Sequence, residues 1–329
     1  MNRKFKSVYG PHLEQFIKMK RTLGFKFKTE AVILHQIDRS AEKAGESSCG
    51  ITKDFADTWC KKRCYESDFY RYTRVRLLAS FSSYLCDLDV DSCIPKLPRY
   101  QSNSFTPYIY SPTEIEAIVN ACDDLRLSQA TMHSYLLSVP TLIRLLYATG
   151  LRIGEALALK KRDVNLTDNC LRVMDSKNGK ERIIPISNSL ASVCRQFSAY
   201  RDMLPSIAAQ KSPYFFVGLD GKKCSHQAVS KWFKKCLRKV RISYVSGNRL
   251  PRLHDLRHTF AVTSLASMAE AGIDLYVSLP ILSTYLGHQS LEGTNHYVRL
   301  TATMYPGLLK DIDTVCLDVF PKYKNYEAD

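Results

Sequence analysis

The sequence predicts a mainly α-helical protein that contains a small β-hairpin. Apolar residues recur at helical spacing between turn-forming residues, both in the first ~95 residues and in most of the remainder. Two short runs, residues 171–174 and 182–186, have the pattern of strands, and Asn178-Gly179 between them is typical of a tight hairpin turn. We therefore expect an N-terminal unit of four helices, followed by a mostly helical domain that carries the hairpin.

The N-terminal unit is predicted to span residues 1–95, and each of its helices has a boundary signal. Gly24 and Gly45 follow the first two helices, while Thr52 and either Ser67 or Asp68 can cap the next two. The predicted helices cover residues 11–23 and 29–44, a third from Thr52 through Cys60, and a fourth that runs to about Cys86.

A change of composition marks the next boundary. Residues 95–107 hold three prolines among polar residues and have no helical period, which is typical of a linker. Ser111-Pro112-Thr113-Glu114 then forms a capping box with proline at the first helical position. We predict a linker at 96–108, a second domain at 109–300 and a C-terminal tail at 301–329.

Further helices follow in the second domain. An apolar helix over residues 142–149 ends at Gly150, and Arg152 opens the next one. The other predicted helices lie around residues 188–203, 226–240, 254–271 and 275–286.

The charge balance favours a polyanionic partner. The chain has 47 Lys+Arg against 32 Asp+Glu, a net charge of +15 with a pI near 9.3. Residues 1–98 carry 18 basic and 12 acidic residues, or +6, which leaves +9 for the rest. Because the excess is spread over both domains, both can contact one nucleic acid duplex.

Targeting and metal signals are weak in this sequence. No apolar run reaches the length of a signal peptide core or of a membrane span, so we expect a soluble cytoplasmic protein. The eleven cysteines are scattered, and Cys60 and Cys64 have no second pair at zinc-ligand spacing. We expect buried, reduced thiols and no metal or cofactor.

Four motifs carry the chemistry. They are Thr149-Gly150-Leu151-Arg152-Ile153-Gly154-Glu155, His254-Asp255-Leu256-Arg257, Leu286-Gly287-His288 and Thr294-Asn295-His296-Tyr297. Arginine forks bind phosphate oxygens, imidazoles exchange protons near neutral pH, and a tyrosine can attack phosphorus once it is activated. Each residue alone has an ordinary structural explanation, since Tyr297 is one of 19 tyrosines and Glu155 can pair with Arg152 on a helix surface.

In order and spacing, these motifs resemble those of the tyrosine recombinases, the phage-integrase family of site-specific DNA recombinases. The resemblance covers roughly residues 109–300 and, more loosely, the N-terminal unit. It implies that the N-terminal unit is the DNA-binding, or core-binding, domain. It implies strand cleavage and rejoining through a 3′-phosphotyrosyl intermediate. Tyr297 is then the nucleophile, with Tyr285 as the next candidate. The implied catalytic set is Arg152, Lys177, His254, Arg257, His288 and Tyr297, with Lys180 as competitor of Lys177 for the general acid.

The biological role is less specified than the chemistry. Residues 274–282, before Leu286-Gly287-His288, are longer and more apolar than the usual family segment and resemble the transposon-encoded branch. This favours integration or excision of a mobile element. A type IB topoisomerase, a telomere resolvase and a non-catalytic DNA-binding regulator stay open as alternatives.

The resemblance also implies partners. The expected substrate is double-stranded DNA, and the protein is expected to be nucleoid-associated. We expect it to form a tetrameric synapse on DNA. Accessory recombinases or a directionality factor are further candidate partners. The candidate DNA contacts on the outer faces of the N-terminal helices are Lys61, Lys62, Arg63, Arg71, Arg74 and Arg76, which otherwise form a solvated surface. The acidic tail, net −2 over residues 302–329, has an apolar stripe that we expect to dock on a neighbouring protomer or, alternatively, on its own domain. His258 and His296 are neighbours of Arg257 and Tyr297 in the sequence, but we expect helical geometry to direct them away from the site, and we interpret them as structural.

Overall fold

The computed structural model describes residues 4–100, 106–126, 134–174, 181–204, 206–242, 250–288, 290 and 292–305. The chain divides into two compact units, Met1–Phe105 and Thr106–Asp329. No helix within these described ranges is long and apolar enough to cross a membrane. The predicted fold class, mostly helical with a small antiparallel sheet, is confirmed.

The N-terminal unit contains the four predicted helices. They are α1 (Gly10–Thr22), α2 (Thr29–Ala44), α3 (Lys53–Cys60) and α4 (Asp68–Cys86). The hydroxyl of Thr52 accepts a hydrogen bond from the backbone N–H of Phe55, and the hydroxyl of Ser67 accepts one from Tyr70, so Ser67 caps α4. Their apolar faces meet in one core, which includes Tyr9, Phe16, Leu34, Ile37, Trp59, Leu78 and Phe81.

The second unit is built from nine α-helices and three short strands among its described residues. The helices are α5 (Pro112–Asp123), α6 (Val139–Thr149), α7 (Ile153–Ala158), α8 (Asn188–Asp202), α9 (Ile207–Lys211), α10 (His226–Lys239), α11 (Leu253–Glu270), α12 (Leu275–Leu286) and α13 (Glu292–Met304). The strands β1 (Val164–Asn165), β2 (Cys170–Val173) and β3 (Arg182–Pro185) form an antiparallel sheet in the order β1-β2-β3, with Leu171 opposite Ile184.

The predicted helices of this unit are present, and the structure adds elements that the pattern did not predict: α9, α13 and β1. The capping box of α5 forms between Ser111 and Glu114. Helix α13 continues to Met304, so the predicted start of the tail at residue 301 lies inside a helix. The predicted hairpin turn at Asn178-Gly179 and the apolar stripe of the tail lie outside the described residues.

Helix α6 lies at the centre of the second unit. It packs against α5, α8 and α11, and buries Leu142, Ile143, Leu145 and Leu146. It ends at Gly150, whose φ of +59° is left-handed, and a Cβ there would lie 2.4 Å from the ring of Phe260 on α11. Glycine therefore allows the chain to leave α6 while α11 stays in close contact.

The described cysteines are free thiols. Cys122 on α5 and Cys236 on α10 are buried with their sulfur atoms 3.5 Å apart, and the hydrogen bond between them raises the pKa of Cys122. Cys60 is half-buried, whereas Cys64 is exposed, so the expectation that this pair is buried is wrong for Cys64. Its position after the end of α3 explains the exposure.

Candidate active site

Three of the predicted catalytic side chains meet where α12 ends, at residues 286–288. Arg257 donates from Nη1 to the carbonyl oxygen of Gly150 at 2.8 Å and from Nη2 to that of Leu286 at 2.9 Å. Arg152 reaches the next carbonyl, that of Gly287, at 3.4 and 3.5 Å. The following residue is His288. Segments separated by more than 100 positions in the sequence thus form one site.

The ends of two helices orient these arginines. Both α6 and α12 finish with a left-handed glycine, Gly150 and Gly287, and the last carbonyls of a helix have no partner within it. A cation beside such carbonyls is favoured by hydrogen bonding and by the helix dipole. Gly287 also allows close packing, because a Cβ there would lie 2.9 Å from the guanidinium of Arg182.

Glu155 joins two arginines beneath the site. Its carboxylate accepts from Arg152 Nη1 at 2.9 Å and from Arg182 Nη2 at 2.8 Å, and it also accepts from the backbone N–H of Arg152. Burial raises the pKa of this carboxyl, but the hydrogen bond and charge of Arg182, together with Arg152, leave it below its usual value. Arg152, Arg182 and Arg257 oppose this one carboxylate, so the cluster favours an added anion.

Arg182 was missed by the sequence interpretation. It lies at the start of β3, is 11% exposed, and donates from Nε to the carbonyl oxygen of Tyr285 at 2.9 Å. An arginine on a four-residue strand has no local pattern that marks it. Its role depends on Glu155 and Tyr285, which are distant in sequence.

His288 is held at both ring nitrogens. Nε2 lies 2.9 Å from Nη2 of Arg257, and Nδ1 lies 2.7 Å from the hydroxyl oxygen of Thr294 on α13. Burial, with the charges of Arg257 and Arg152, lowers the pKa of His288 to about 4. The ring is therefore neutral at physiological pH.

His254 lies one helical turn from Arg257, near the start of α11, and its side chain is exposed. Desolvation and the positive charges of Arg257 and Arg252 lower the pKa of His254 to about 4. Because the imidazole is exposed, its neutral form is favoured mainly by these positive charges. Its ring contacts that of His258 edge-on, with 4.7 Å between the ring centroids.

Tyr297 is buried, with 1% of its surface exposed, in an apolar cluster with Val262, Leu282 and Leu286. Its ring is nearly parallel to that of His288, with centroids 6.3 Å apart. Burial raises the pKa of Tyr297, while the charge and hydrogen bond of Arg257 lower it; the net shift is upward. The phenol is therefore protonated at neutral pH in this state.

The interpretation of His258 and His296 as side chains directed away from the site is wrong. Nδ1 of His258 lies 3.1 Å from the hydroxyl oxygen of Tyr297, and the ring of His296 lies 3.9 Å from the tyrosine ring. His254 and His258 are separated by four residues and therefore share one face of α11. The spacing from His254, rather than adjacency to Arg257, is the signal that predicts this contact.

Of three other predicted site residues, the structure describes Tyr285 but not the two lysines. Tyr285, the second candidate nucleophile, stacks on Phe260 with ring centroids 5.5 Å apart, and burial raises the pKa of Tyr285 to about 12. Lys177 and Lys180 lie outside the described residues, between β2 and β3. Their assignment stays a prediction.

Only some of the six candidate DNA contacts of the N-terminal unit lie on its outer face. Arg74 is fully buried: it pairs with Glu66 at 2.8 Å and donates to the backbone carbonyls of Trp59 and Lys61. Its prediction as an outer-face DNA contact is wrong, because these groups at the end of α3 hold it in the core. Arg71 is half-buried and donates to the carbonyl of Cys60. The four exposed candidates are Lys61, Lys62, Arg63 and Arg76.

Comparison with known proteins indicates the family to which this chain belongs. The family model described as the phage integrase family matches residues 110–304. The Sinorhizobium fredii (strain NGR234) protein y4rB, whose name describes it as an integrase/recombinase, is 30% identical over 311 residues, 93% of this chain and 96% of y4rB. The tyrosine recombinase XerA of Pyrococcus horikoshii is 31% identical over 210 residues, 63% of this chain and 60% of XerA.

A solved structure supports the fold across both units. The Tn1549 transposon integrase in complex with a circular intermediate DNA matches 88% of this chain and 94% of that chain, with a TM-score of 0.62 and 17% identity. The family model covers the arginine, histidine and tyrosine motifs described above, and y4rB matches nearly the whole chain. The chain therefore belongs to the phage integrase family and is a tyrosine-type site-specific recombinase.

Proposed function

We propose that this recombinase cleaves double-stranded DNA by attack of Tyr297 on a phosphodiester and rejoins it through a covalent 3′-phosphotyrosyl intermediate. The observation that carries the proposal is the meeting of Arg152, Arg257 and His288 at residues 286–288, beside the ring of Tyr297. Cationic forks and an imidazole around a tyrosine are suited to in-line displacement at a phosphate without a metal ion.

The two arginines bind the phosphate from different sides. The side chain of Arg152 is 23% exposed and its contacts with the Gly287 carbonyl are long, so it has donors for phosphate oxygens. Arg257 is buried and anchored on two carbonyls, so it supplies a fixed charge beneath the scissile phosphate. A buried charge that is already oriented stabilises the developing transition state without reorganisation.

Two proton movements accompany cleavage. The phenol proton of Tyr297 must leave as the O–P bond forms, and the departing 5′ oxygen must gain a proton. We assign proton exchange on the nucleophile side to His254, orientation of Arg257 beside the phosphate through its hydrogen bond with His288, and protonation of the leaving oxygen to Lys177. The resulting ester retains the bond energy that religation needs.

We further propose that the DNA is that of a mobile element, which the enzyme integrates or excises. The support is the resemblance of residues 274–282 to the transposon-encoded branch, and the likeness to a protein whose name describes an integrase/recombinase. Exposed Lys61, Lys62, Arg63 and Arg76 are the proposed phosphate contacts of the N-terminal unit. The tail over residues 306–329 is proposed to link protomers into a tetrameric synapse.

The test begins with identification of the substrate. DNA ends that become covalently attached to the protein in cells are sequenced, and a duplex with that site and a nick near the cleavage point is then used as a suicide substrate. We expect an adduct at Tyr297, none with Tyr297→Phe, and comparable DNA binding by both proteins.

The same substrates separate the alternative functions. A regulator forms no adduct with any site, and a topoisomerase relaxes supercoils without joining strands from two duplexes. Strand transfer between duplexes supports the recombinase mechanism. An adduct on Tyr285 in the Tyr297→Phe variant contradicts the assignment of the nucleophile.

A further inference from the structure

The imidazole of His258 on α11 contacts the hydroxyl group of Tyr297. Its Nδ1 lies 3.1 Å from that oxygen, His258 is 9% exposed, and Tyr297 is 1% exposed. A hydrogen bond between two side chains so well shielded from water is strong relative to one at the surface. None of the roles proposed above uses this contact.

The neighbours of the phenol determine the direction of this bond. The positive charge of Arg257 acts on the oxygen of Tyr297, and a guanidinium has no acceptor. A nearby cation favours the orientation in which the lone pairs of the phenol oxygen face it, so the O–H of Tyr297 is directed to His258. Nδ1 of His258 is then the acceptor, and a neutral ring places its proton on Nε2.

The surroundings of His258 keep its ring neutral. Desolvation by burial, with the rings of His254 and His296 and the charges of Arg252 and Arg257, lowers the pKa of His258 to about 3. The neutral ring keeps a lone pair on Nδ1 that can accept the phenol hydrogen bond. Because His258 is buried whereas His254 is exposed, His258 is better suited to orientation of the nucleophile and His254 to proton exchange.

We propose that His258 is a positioning residue for Tyr297, and that its Nδ1 accepts the phenol hydrogen bond and fixes the direction of the nucleophilic oxygen beside Arg257. The inference rests on the proposed role of Tyr297 as nucleophile. It extends the catalytic set by one residue on the face of α11 that carries His254.

The test uses two substitutions of His258 that place an oxygen acceptor at the position of one ring nitrogen or the other. In asparagine the side-chain oxygen can occupy the position of Nδ1, whereas in glutamine it lies nearer the position of Nε2. We expect His258→Asn to form the Tyr297 adduct on the suicide substrate within about tenfold of the wild-type rate. His258→Gln and His258→Ala should lose about 100-fold, because a misdirected nucleophile is costly even when the substrate binds normally.

Each result bears on the proposal. Equal rates for the asparagine and glutamine variants, whether both fast or both slow, overturn it, provided that both variants are folded and bind DNA. If the wild-type protein forms no adduct, or forms it on another residue, the proposed function fails instead, so the two failures are distinguishable.

A measurement without DNA checks the hydrogen bond itself. In full-length protein labelled with ¹⁵N-histidine, the His258 signals are those lost in His258→Asn. We expect the chemical shift of an unprotonated Nδ1 and of a protonated Nε2, and a change at Nδ1 in Tyr297→Phe. A protonated Nδ1, or an Nδ1 chemical shift that is unchanged in Tyr297→Phe, overturns the proposal.

Discussion

Nη2 of Arg257 lies 2.9 Å from Nε2 of His288, and this contact determines where the imidazole carries its proton. Because a guanidinium has no acceptor, Nε2 must offer its lone pair. The proton of the neutral ring is therefore on Nδ1, 2.7 Å from the hydroxyl oxygen of Thr294, which accepts it. Thr294, which is completely buried, orients His288 before DNA arrives.

Removal of the Thr294 hydroxyl should slow DNA cleavage, because this hydroxyl orients His288. Thr294→Val keeps the volume but leaves the Nδ1–H of His288 without its acceptor, so we expect adduct formation to fall about tenfold or more with unchanged DNA binding. Thr294→Ser retains the hydroxyl and is the matched control. Equal rates for the valine and serine variants contradict this role.

Substitution of Arg152 or Arg257 should slow cleavage in both cases but should affect the melting temperature differently. Arg152→Ala and Arg257→Ala should each reduce adduct formation by roughly 10²–10³. Arg257 also holds the carbonyls of Gly150 and Leu286, so its removal should lower the melting temperature as well. Arg152 is partly exposed and should have a smaller effect on melting. Melting curves and single-turnover adduct formation on the same preparations check both statements.

The general acid can be identified with a modified substrate. A 5′-bridging phosphorothiolate has a leaving group that needs no protonation, so it should restore cleavage by Lys177→Ala. Lys180→Ala is the control on the same connection between β2 and β3, and it should cleave the ordinary substrate well. Rescue of Lys180→Ala alone assigns the proton donor to Lys180.

Substitutions of Arg74 and Arg76 on α4 should have different effects: the first should reduce stability and the second should weaken DNA binding. Arg74→Ala leaves Glu66 buried without its partner, which should destabilise the N-terminal unit by about 3–5 kcal/mol. Arg76→Ala, at an exposed position, should leave unfolding unchanged and reduce the salt dependence of DNA binding by about one phosphate contact, a log–log slope change of ~0.9. Chemical unfolding and binding across salt concentrations test the pair. Similar stability of the two variants contradicts the buried role of Arg74.

The elements that local chemistry specifies were predictable from the sequence. Thr52 and Ser111 cap α3 and α5 through contacts three residues away, and Gly45 and Gly150 end α2 and α6 in the left-handed conformation. Such signals lie within a few residues of the boundary that they determine.

The remaining features depend on partners distant in the sequence. Arg74 resembles its exposed neighbours on α4, and only the carbonyls at the end of α3 explain its burial. Arg182 acquires its role from Glu155, 27 residues earlier. The site motifs predicted which residue types meet, but the contact between His258 and Tyr297 requires the packing of α11 on α13.

Burial of neutral histidines should make the fold sensitive to acid. The pKa of His258 is lowered to about 3 and that of His288 to about 4, mainly by desolvation, against an ordinary value of 6.5. Between these values the unfolded chain binds protons that the folded chain does not. The stability contributed by the neutral rings is therefore complete above about pH 6.5 and is lost as the pH falls towards 4 and 3.

For His258 the loss from about pH 7.5 to about pH 5 is about 2 kcal/mol, since the unfolded histidine is mostly protonated at the lower pH. Protonation of carboxylates also contributes to acid unfolding, so the comparison must be between variants. His258→Asn should make the free energy of unfolding less dependent on pH over this window by about that amount. His226→Asn, at an exposed position on α10, is the matched control and should keep the wild-type dependence. If His258→Asn and His226→Asn lose the same free energy of unfolding over this window, His258 is not held neutral in the folded state.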